Sequence, residues 1–449
     1  MARRRLGQPD VARTVALDVM GAVRERDAFG NLVLPALLRE RGLSGRDAAF
    51  ATELAYGSIR MRGCYDAVLC VVARRPLSEL EPDVLDVLRL GCHQLLSLRT
   101  PVHAAVSTSV DQARTRVGAR AVSFVNAVLR RVSADDKAGW MTVVAPSRAD
   151  DPLGNLSVVH SHPRWIVTAL HDALGGDLGE TARMLAADNA SPAVTLVARP
   201  GLADRAELMV DGAQAGSLSP YAVRLPGGDP GELPAVREGR AGVQDEGSQV
   251  VTLALAQAPL EGNDTAWLDL CAGPGGKAAL LAALGASRRA RVVANEVAPH
   301  RARLVVRNTS TAQVVVGDGR QPAWPPGTFD RVLVDVPCSG LGALRRRPEA
   351  RWRRNAAELP GLVALQRDLL ATAIDSVRPG GIVGYVTCSP HRDETSGVVG
   401  TVTEQRADVT ILDATAGRPG IGGQRGPYLQ LWPHIHGTDA MFLALLCRR

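Results

Sequence analysis

The stretch Trp267-Leu268-Asp269-Leu270-Cys271-Ala272-Gly273-Pro274-Gly275-Gly276-Lys277 decides the fold. An apolar run reads as a strand, a glycine-rich turn follows it, and a helix follows the turn. Downstream the alternation repeats. Strand-like runs occupy Arg291 to Asn295, Gln313 to Val316, Arg331 to Asp335 and Ile382 to Val386, with helical stretches such as Pro299 to Asn308 and Gly361 to Val377 between them. This is the spacing of βαβ units in a doubly wound parallel sheet. After Asp408 the runs Val409 to Leu412, Leu429 to Trp432 and Met441 to Leu446 predict an antiparallel edge.

Upstream the text changes. From Val11 to Val132 the apolar residues recur at helical spacing, as in Ala48 to Tyr56 and Asp83 to Gly91, and five to seven helices fit. Residues 133–160 are interrupted by Asp135-Asp136, Pro146 and Asp150-Asp151-Pro152, which predicts a linker. Helices over Arg164 to Leu174 and Leu178 to Asp188 and a strand over Ala193 to Ala198 then predict a small α+β unit. The expectation is a multidomain chain: residues 1–140 all-helical, 141–243 a linker with the small unit, and 244–449 an α/β Rossmann-like domain.

Composition agrees with several cores. The chain has 449 residues, 46% hydrophobic and 22% charged, which excludes a disordered or fibrous protein. No run approaches the ~18 apolar residues of a membrane span, and the basic start, Met1 to Arg5, leads into a run broken by Arg13 and Asp18, so neither a span nor a signal peptide is expected. Seven cysteines, an odd number without a Cys-x-x-Cys pair, predict reduced thiols, a cytoplasmic location and no metal site. Cys64, Cys70, Cys92 and Cys447 read as small core hydrophobes. Only Lys137 and Lys277 are lysines among 52 basic residues, so each stands out. Residues 1–140 hold 21 basic and 15 acidic groups, residues 141–243 hold 8 and 12, and residues 244–449 hold 23 and 19, a polarity that suits nucleic acid at the two ends.

The glycine turn lets ligand atoms approach its backbone, and the helix N-terminus offers N–H groups. Cys271 and Ala278 stand where a Walker A loop needs glycine and Ser or Thr, and glycines at 273, 275 and 276 do not fit the dinucleotide fingerprint. Glu296, at the end of the second strand, is placed to take both hydroxyls of a ribose, and Asp318, after the third, to accept from an adenine amino group. Together with the loop from Cys271 through Ala272, Gly273, Pro274, Gly275 and Gly276 to Lys277, these acids describe S-adenosylmethionine.

Two further strand ends carry thiols, in Val334-Asp335-Val336-Pro337-Cys338-Ser339-Gly340-Leu341-Gly342 and Val386-Thr387-Cys388-Ser389-Pro390. In open α/β sheets the site lies at the carboxyl ends of the strands, so Cys338 and Cys388 both point to it. Two thiols, the carboxylate of Asp335 and a methyl donor suit methylation of pyrimidine C5, since a thiolate added at C6 makes C5 nucleophilic and a hydrogen bond at N3 assists. Arg345, Arg346, Arg347, Arg351, Arg353 and Arg354 follow this loop, and their position predicts contacts to RNA phosphates; the plainer alternative is a solvated helix face.

These three motifs resemble those of the Sun-type RNA cytosine-5 methyltransferases. Phe124 to Arg131 is similar to part of the NusB-type RNA-binding domain of bacterial members, and Gln244 to Gln249 to the first segment of their catalytic domain. The resemblance implies Cys388 as nucleophile, Cys338 as the assistant in product release, and small-subunit 16S rRNA as substrate. DNA cytosine methyltransferases use the Pro-Cys thiol instead, here Cys338. Asp393-Glu394-Thr395 and Asp439-Ala440-Met441-Phe442 depart from the family's usual Glu-Asn-Glu and Asp-Gly-Phe-Phe. Two rival readings are a cytosine-5 methyltransferase of tRNA or large-subunit rRNA and a non-catalytic RNA-binding assembly or antitermination factor. Retention of Lys277, Glu296, Asp335, Cys338 and Cys388 speaks against the second.

Overall fold

The structure, a computed structural model, describes residues 10–309, 311–417, 421 and 426–449. The basic start, Met1 to Arg5, lies outside them. Two compact units result, one of residues 1–190 with Leu344–Arg353, the other of Ser191–Ala343 with Arg354–Arg449.

In the first unit, seven helices occupy the segment expected to hold five to seven: α1 (Val11–Arg26), α2 (Gly30–Glu40), α3 (Gly45–Arg60), α4 (Arg62–Val72), α5 (Pro82–Leu96), α6 (Val102–Arg116) and α7 (Ala119–Val132). Their apolar faces enclose Leu17, Leu54, Tyr65, Val87, Leu88 and Leu129, all buried. Cys64 and Cys92 lie in this core, whereas Cys70 is exposed, contrary to expectation. The segment read as a linker is instead helical, with α8 (Lys137–Val144) and α9 (Pro152–Val159). The acids that seemed to break it are helix caps, since Asp136 accepts from Gly139 N–H and Asp151 from Gly154 N–H. Helices α10 (Arg164–Ala173) and α11 (Leu178–Asp188) fall where expected but belong to this unit.

The second unit begins with an antiparallel sheet of β1 (Thr195–Ala198), β2 (Gln214–Ala215), β3 (Ala222–Arg224) and β4 (Ala241–Val243), in order β2-β3-β1-β4. It closes over Leu196, Leu208 and Val223 and is fastened to α13 (Glu246–Gln257), which follows the short α12 (Pro234–Arg237). Gln249 Nε2 donates to Leu196 O, and the buried Glu246 carboxylate accepts from Leu218 and Ser219 N–H.

The large sheet contains β5 (Ala266–Asp269), β6 (Arg291–Glu296), β7 (Gln313–Val316), β8 (Phe329–Asp335), β9 (Val377–Thr387), β10 (Val409–Leu412), β11 (Leu429–Gln430) and β12 (Phe442–Arg448). Its order is β10-β12-β9-β8-β5-β6-β7, with β11 on β12. Pairs among β5 to β9 are parallel, and β10, β11 and β12 make the expected antiparallel edge. Near-continuous apolar strands such as β8 and β9 are buried on both faces, as central parallel strands must be. Helices α14 (Gly276–Ala286), α15 (Pro299–Asn308), α17 (Leu359–Ser376) and α18 (Ser396–Glu404) connect them; the one-turn α19 (Pro433–His436) also lies in this unit, whereas the one-turn α16 (Ala350–Arg353) belongs to the first. The chain runs outward from β5 to β7 and returns to β8 on the other side of β5. The crevice at this switch point is framed by Asp269 and Asp335, the last residues of β5 and β8.

Candidate active site

Between β5 and α14 the chain turns back within six residues. Gly275 has φ of +114°, and a Cβ there would lie 3.0 Å from Cα of Val305, so only glycine fits. At Gly273 a Cβ would lie 2.1 Å from Glu296 Oε2. That close approach brings the loop onto the carboxylate: Gly273 N–H donates to Oε2 at 3.0 Å and Ala298 N–H to Oε1 at 2.9 Å. Each oxygen keeps a second lone pair, enough for the two hydroxyls of a ribose. Asn295, beside Glu296 and not singled out in the sequence, donates to Leu270 O and Gly317 O and so ties together the loops after β5 and β7.

Asp269 was missed as a functional candidate. Its Oδ1 accepts from Cys271 N–H, while the buried Oδ2 has no hydrogen-bond partner. Burial, then the negative charge of Asp335, pushes its carboxyl up to about 7. The signal in the sequence was an acid at the last strand position before a glycine turn. An orphaned carboxylate oxygen beside an acid with lone pairs free for two ribose hydroxyls fits the ammonium group of S-adenosylmethionine, so the residues present suit that cofactor. Cys271 is partly buried against the apolar cluster under the loop, as a space-filler would be. Asp318 is differently disposed from expectation, since its carboxylate is gripped by Arg320 Nε and Nη2, which holds it below the usual carboxylate range.

Lys277, placed in the cofactor loop by sequence, reaches across the crevice and donates to Asp335 Oδ2 at 2.8 Å. Burial opposes its charge, but Asp335, and beyond it Cys388, hold the ammonium above its ordinary value. The two thiols meet, with Cys338 Sγ 3.4 Å from Cys388 Sγ. Cys338 is buried, and its hydrogen bond to Cys388 together with burial raises its thiol well above the usual range. Burial and the neighbouring sulfur thus favour the protonated form of Cys338.

The residues after each thiol are joined as well. Ser339 Oγ lies 3.0 Å from Ser389 Oγ, and Gly342 N–H donates to Cys388 O at 2.8 Å. Glu394, in the segment that departs from the family pattern, is fully buried and accepts from Ser339 N–H and from Gln366 Nε2. Asp439, in the other departing segment, donates its N–H to Asp245 Oδ1.

The arginine cluster is not a uniform phosphate-binding face. Arg351 is fully buried, donating to Arg60 O, Ser161 O, Asn189 Oδ1 and Asp188 O. Arg353 donates to Val23 O and Ala28 O, and Trp352 Nε1 to Ile59 O. Helices α3 and α11 end at Arg60 and Asp188, and their last carbonyls lack partners within the helix; the guanidinium supplies the donors. Arg351 and Arg353 are thus structural residues of the helical unit, which corrects their reading as RNA contacts. Arg346, Arg347 and Arg354 are exposed and Arg345 is half-buried.

No described helix is long and apolar enough to cross a membrane. Among the described residues no group of three or more His, Cys, Asp or Glu side chains could hold a metal ion.

The family model described as 16S rRNA methyltransferase RsmB/F matches residues 254–447, and that of the NusB family matches residues 10–134. A protein of Mycobacterium tuberculosis (strain ATCC 25618 / H37Rv) named as a putative methyltransferase is 53% identical over 98% of this chain and 97% of its own. Ribosomal RNA small subunit methyltransferase B of Sodalis glossinidius is 30% identical over 97% of each chain. Among solved structures, PH0851 matches with a TM-score of 0.80 and 21% identity over 98% of both chains. NSun6 of Pyrococcus horikoshii, solved with SFG, gives 0.54 at 17% identity over 64% of this chain and 98% of its own; these two likenesses speak to the fold alone. The chain belongs to the RsmB/F family of S-adenosylmethionine-dependent RNA methyltransferases and carries a NusB-family domain before its catalytic sheet.

Proposed function

We propose that the protein methylates C5 of a cytosine in small-subunit 16S rRNA, in the cytoplasm, through a covalent bond between Cys388 and C6. The observation that carries this reading is the pair of thiols 3.4 Å apart beside the Lys277–Asp335 ion pair. S-adenosylmethionine, when bound, supplies an electrophilic methyl group. Glu296 is suited to the ribose, Asp269 to the ammonium, the loop 271–277 to the cofactor's approach, and Asp318 to the adenine edge once Arg320 shares it.

Cytosine C5 is a weak nucleophile. The Cys388 thiolate adds to C6, forming the Sγ–C6 bond and moving the ring electrons to C5, while Asp335 in its protonated form, held by Lys277, donates a hydrogen bond to N3 and assists that addition. After C5 has gained its methyl group it still carries a proton. Transfer of that proton to water returns its electron pair to the C5–C6 bond and expels Cys388 as thiolate, and Cys338, a thiol with its own proton, assists this release by donating a hydrogen bond to the departing sulfur. A thiol must reach the face of the ring, so the base has to leave its stack. The exposed Arg346, Arg347 and Arg354, with Arg345, are the members of the cluster assigned to RNA phosphates, and the NusB-family domain is assigned to RNA binding.

Bisulfite sequencing of RNA from a deletion strain tests the target. Loss of one protected cytosine in 16S rRNA is expected; loss in tRNA or large-subunit rRNA would move the substrate, and no loss anywhere would refute C5 methylation.

A further inference from the structure

Beneath the two thiols lies a buried polar cluster that the chemistry just described leaves without a task. Glu394 is fully buried, and among the described residues no cation pairs with it. Its carboxylate is satisfied by hydrogen bonds alone. Oε1 accepts from Ser339 N–H at 2.7 Å and from Gln366 Nε2 at 3.0 Å, and Oε2 accepts from Ser339 Oγ. Gln366 Nε2 also donates to Pro337 O at 2.9 Å, so the residues on both sides of Cys338 are held by one Glu394–Gln366 unit.

The same unit reaches the other thiol. Ser339 Oγ, fixed by Glu394, lies against Ser389 Oγ, the neighbour of Cys388. Thr387 Oγ1 donates to Ser389 O at 2.7 Å, and Tyr385 OH donates to the carbonyl of Glu394 at 2.7 Å, which ties the acid back to β9. A buried carboxylate without a counter-ion is costly, and an apolar side chain would pack there without that cost. The arrangement is explained by geometry, since no apolar group could hold three donors at once.

We propose that Glu394 is the positioning residue of the reaction, setting the Cys338 loop against the Cys388 loop so that the two thiols stand in register. The proposal rests on the two-cysteine reading of the site. Glu394 touches neither substrate nor cofactor in this scheme and acts only through Ser339, Gln366 and Ser389.

The test uses the full chain with Glu394→Ala and Glu394→Gln. A glutamine can keep its oxygen toward Ser339 N–H and Gln366, and its amide can donate to Ser339 Oγ, which then turns its own proton to Ser389. The loops should therefore survive Glu394→Gln and separate in Glu394→Ala. Thiol register is read without RNA by the rate at which diamide oxidises the pair: two thiols lose two protons and two electrons, an S–S bond forms, and the diazene becomes its hydrazine. Because S–S formation demands close, directed sulfurs, Glu394→Ala should slow pair oxidation by about tenfold or more. Single-turnover methyl transfer should fall by roughly 100-fold, as expected for groups displaced by about 1 Å. S-adenosylmethionine affinity should stay within about twofold of wild type, because the nearest cofactor contacts lie on other loops. Glu394→Gln should resemble wild type in all three. Wild-type oxidation in Glu394→Ala, or a Glu394→Gln as slow as the alanine variant, would overturn the proposal. If Glu394→Ala does not fold, Ser339→Ala removes only the hydroxyl link and should slow pair oxidation about threefold, in line with one hydrogen bond; no change would overturn it. A wild-type protein that fails to methylate RNA while the oxidation series keeps its order would refute the enzymatic reading and leave the positioning role standing.

Discussion

Cys338 and Arg351 belong to one short stretch of chain, and both were read from the sequence as facing the substrate. One lies just past the end of β8, 3.4 Å from a second thiol. The other is fully buried, its guanidinium divided among carbonyls and an asparagine oxygen in the helical unit. The difference lies in what positions each residue. Cys338 follows the end of a parallel strand, where topology fixes the direction of the chain and the site. Arg351 lies beyond the reach of that rule, in a segment that supplies donors to buried carbonyls at helix ends. A thiol at a strand end carries positional information; a run of arginines carries only charge.

That comparison breaks most visibly at the ion pair inside the crevice. Lys277→Met should remove the partner of Asp335 and leave its carboxylate uncompensated, and methyl transfer should drop by about 100-fold or more, since breaking a partly buried pair costs several kcal/mol. Single-turnover assays at saturating cofactor measure it. Activity within a few-fold of wild type would show that the crevice charges are no more committed to the chemistry than the arginines.

Arg351→Ala should act on stability instead. It takes a donor from the buried carbonyls of Ser161 and Asp188 and from Arg60 O, which keeps Ser161 Oγ, and a loss of about 3 kcal/mol is expected, read by denaturant unfolding. The paired control is Arg346→Ala with Arg347→Ala, both exposed, for which stability should change by less than ~0.5 kcal/mol per site. RNA binding should instead weaken, with the logarithmic salt slope falling by about one unit per lost phosphate contact. Equal stability losses in both variants would erase the distinction.

A smaller effect is expected from Asp269. Its carboxyl is pushed up to about 7 by burial and by Asp335, well above its unfolded value, so the folded state binds the extra proton between roughly pH 4 and 7. Its contribution to stability is therefore largest at low pH and is lost as pH rises through about 7. Cofactor binding runs the other way, because the carboxylate form attracts the ammonium. Affinity for S-adenosylmethionine should climb from pH 5.5 toward 7 by roughly tenfold, measured by calorimetry, and should be flat in Asp269→Asn. A wild-type profile as flat as that of the variant would remove Asp269 from the cofactor site.

The legible parts of this molecule were those where one residue's position dictates the next. Strands β5 to β9, their parallel order and the glycine turn follow from apolar runs and punctuation, and the loops bearing Cys338 and Cys388 inherit their direction from the sheet. The opaque parts depend on partners distant in sequence. Asp136 and Asp151 looked like breaks because a capping acid and a loop acid share a composition, and only a following N–H distinguishes them. Asp269 and Glu394 gain their meaning from burial, which no local pattern reports. Asp318 was placed correctly after β7, but the guanidinium two residues later that claims its carboxylate was not foreseen.

Covalent trapping measures the division of labour between the two thiols directly. Incubated with RNA and S-adenosylmethionine, Cys388→Ala should form no protein–RNA adduct and transfer no methyl group, because no thiolate remains to activate C5. Cys338→Ala should add and methylate but release slowly, accumulating an adduct that survives denaturing electrophoresis and collapses on nuclease treatment. An adduct that persists in Cys388→Ala and disappears in Cys338→Ala would contradict the assignment and make Cys338 the nucleophile.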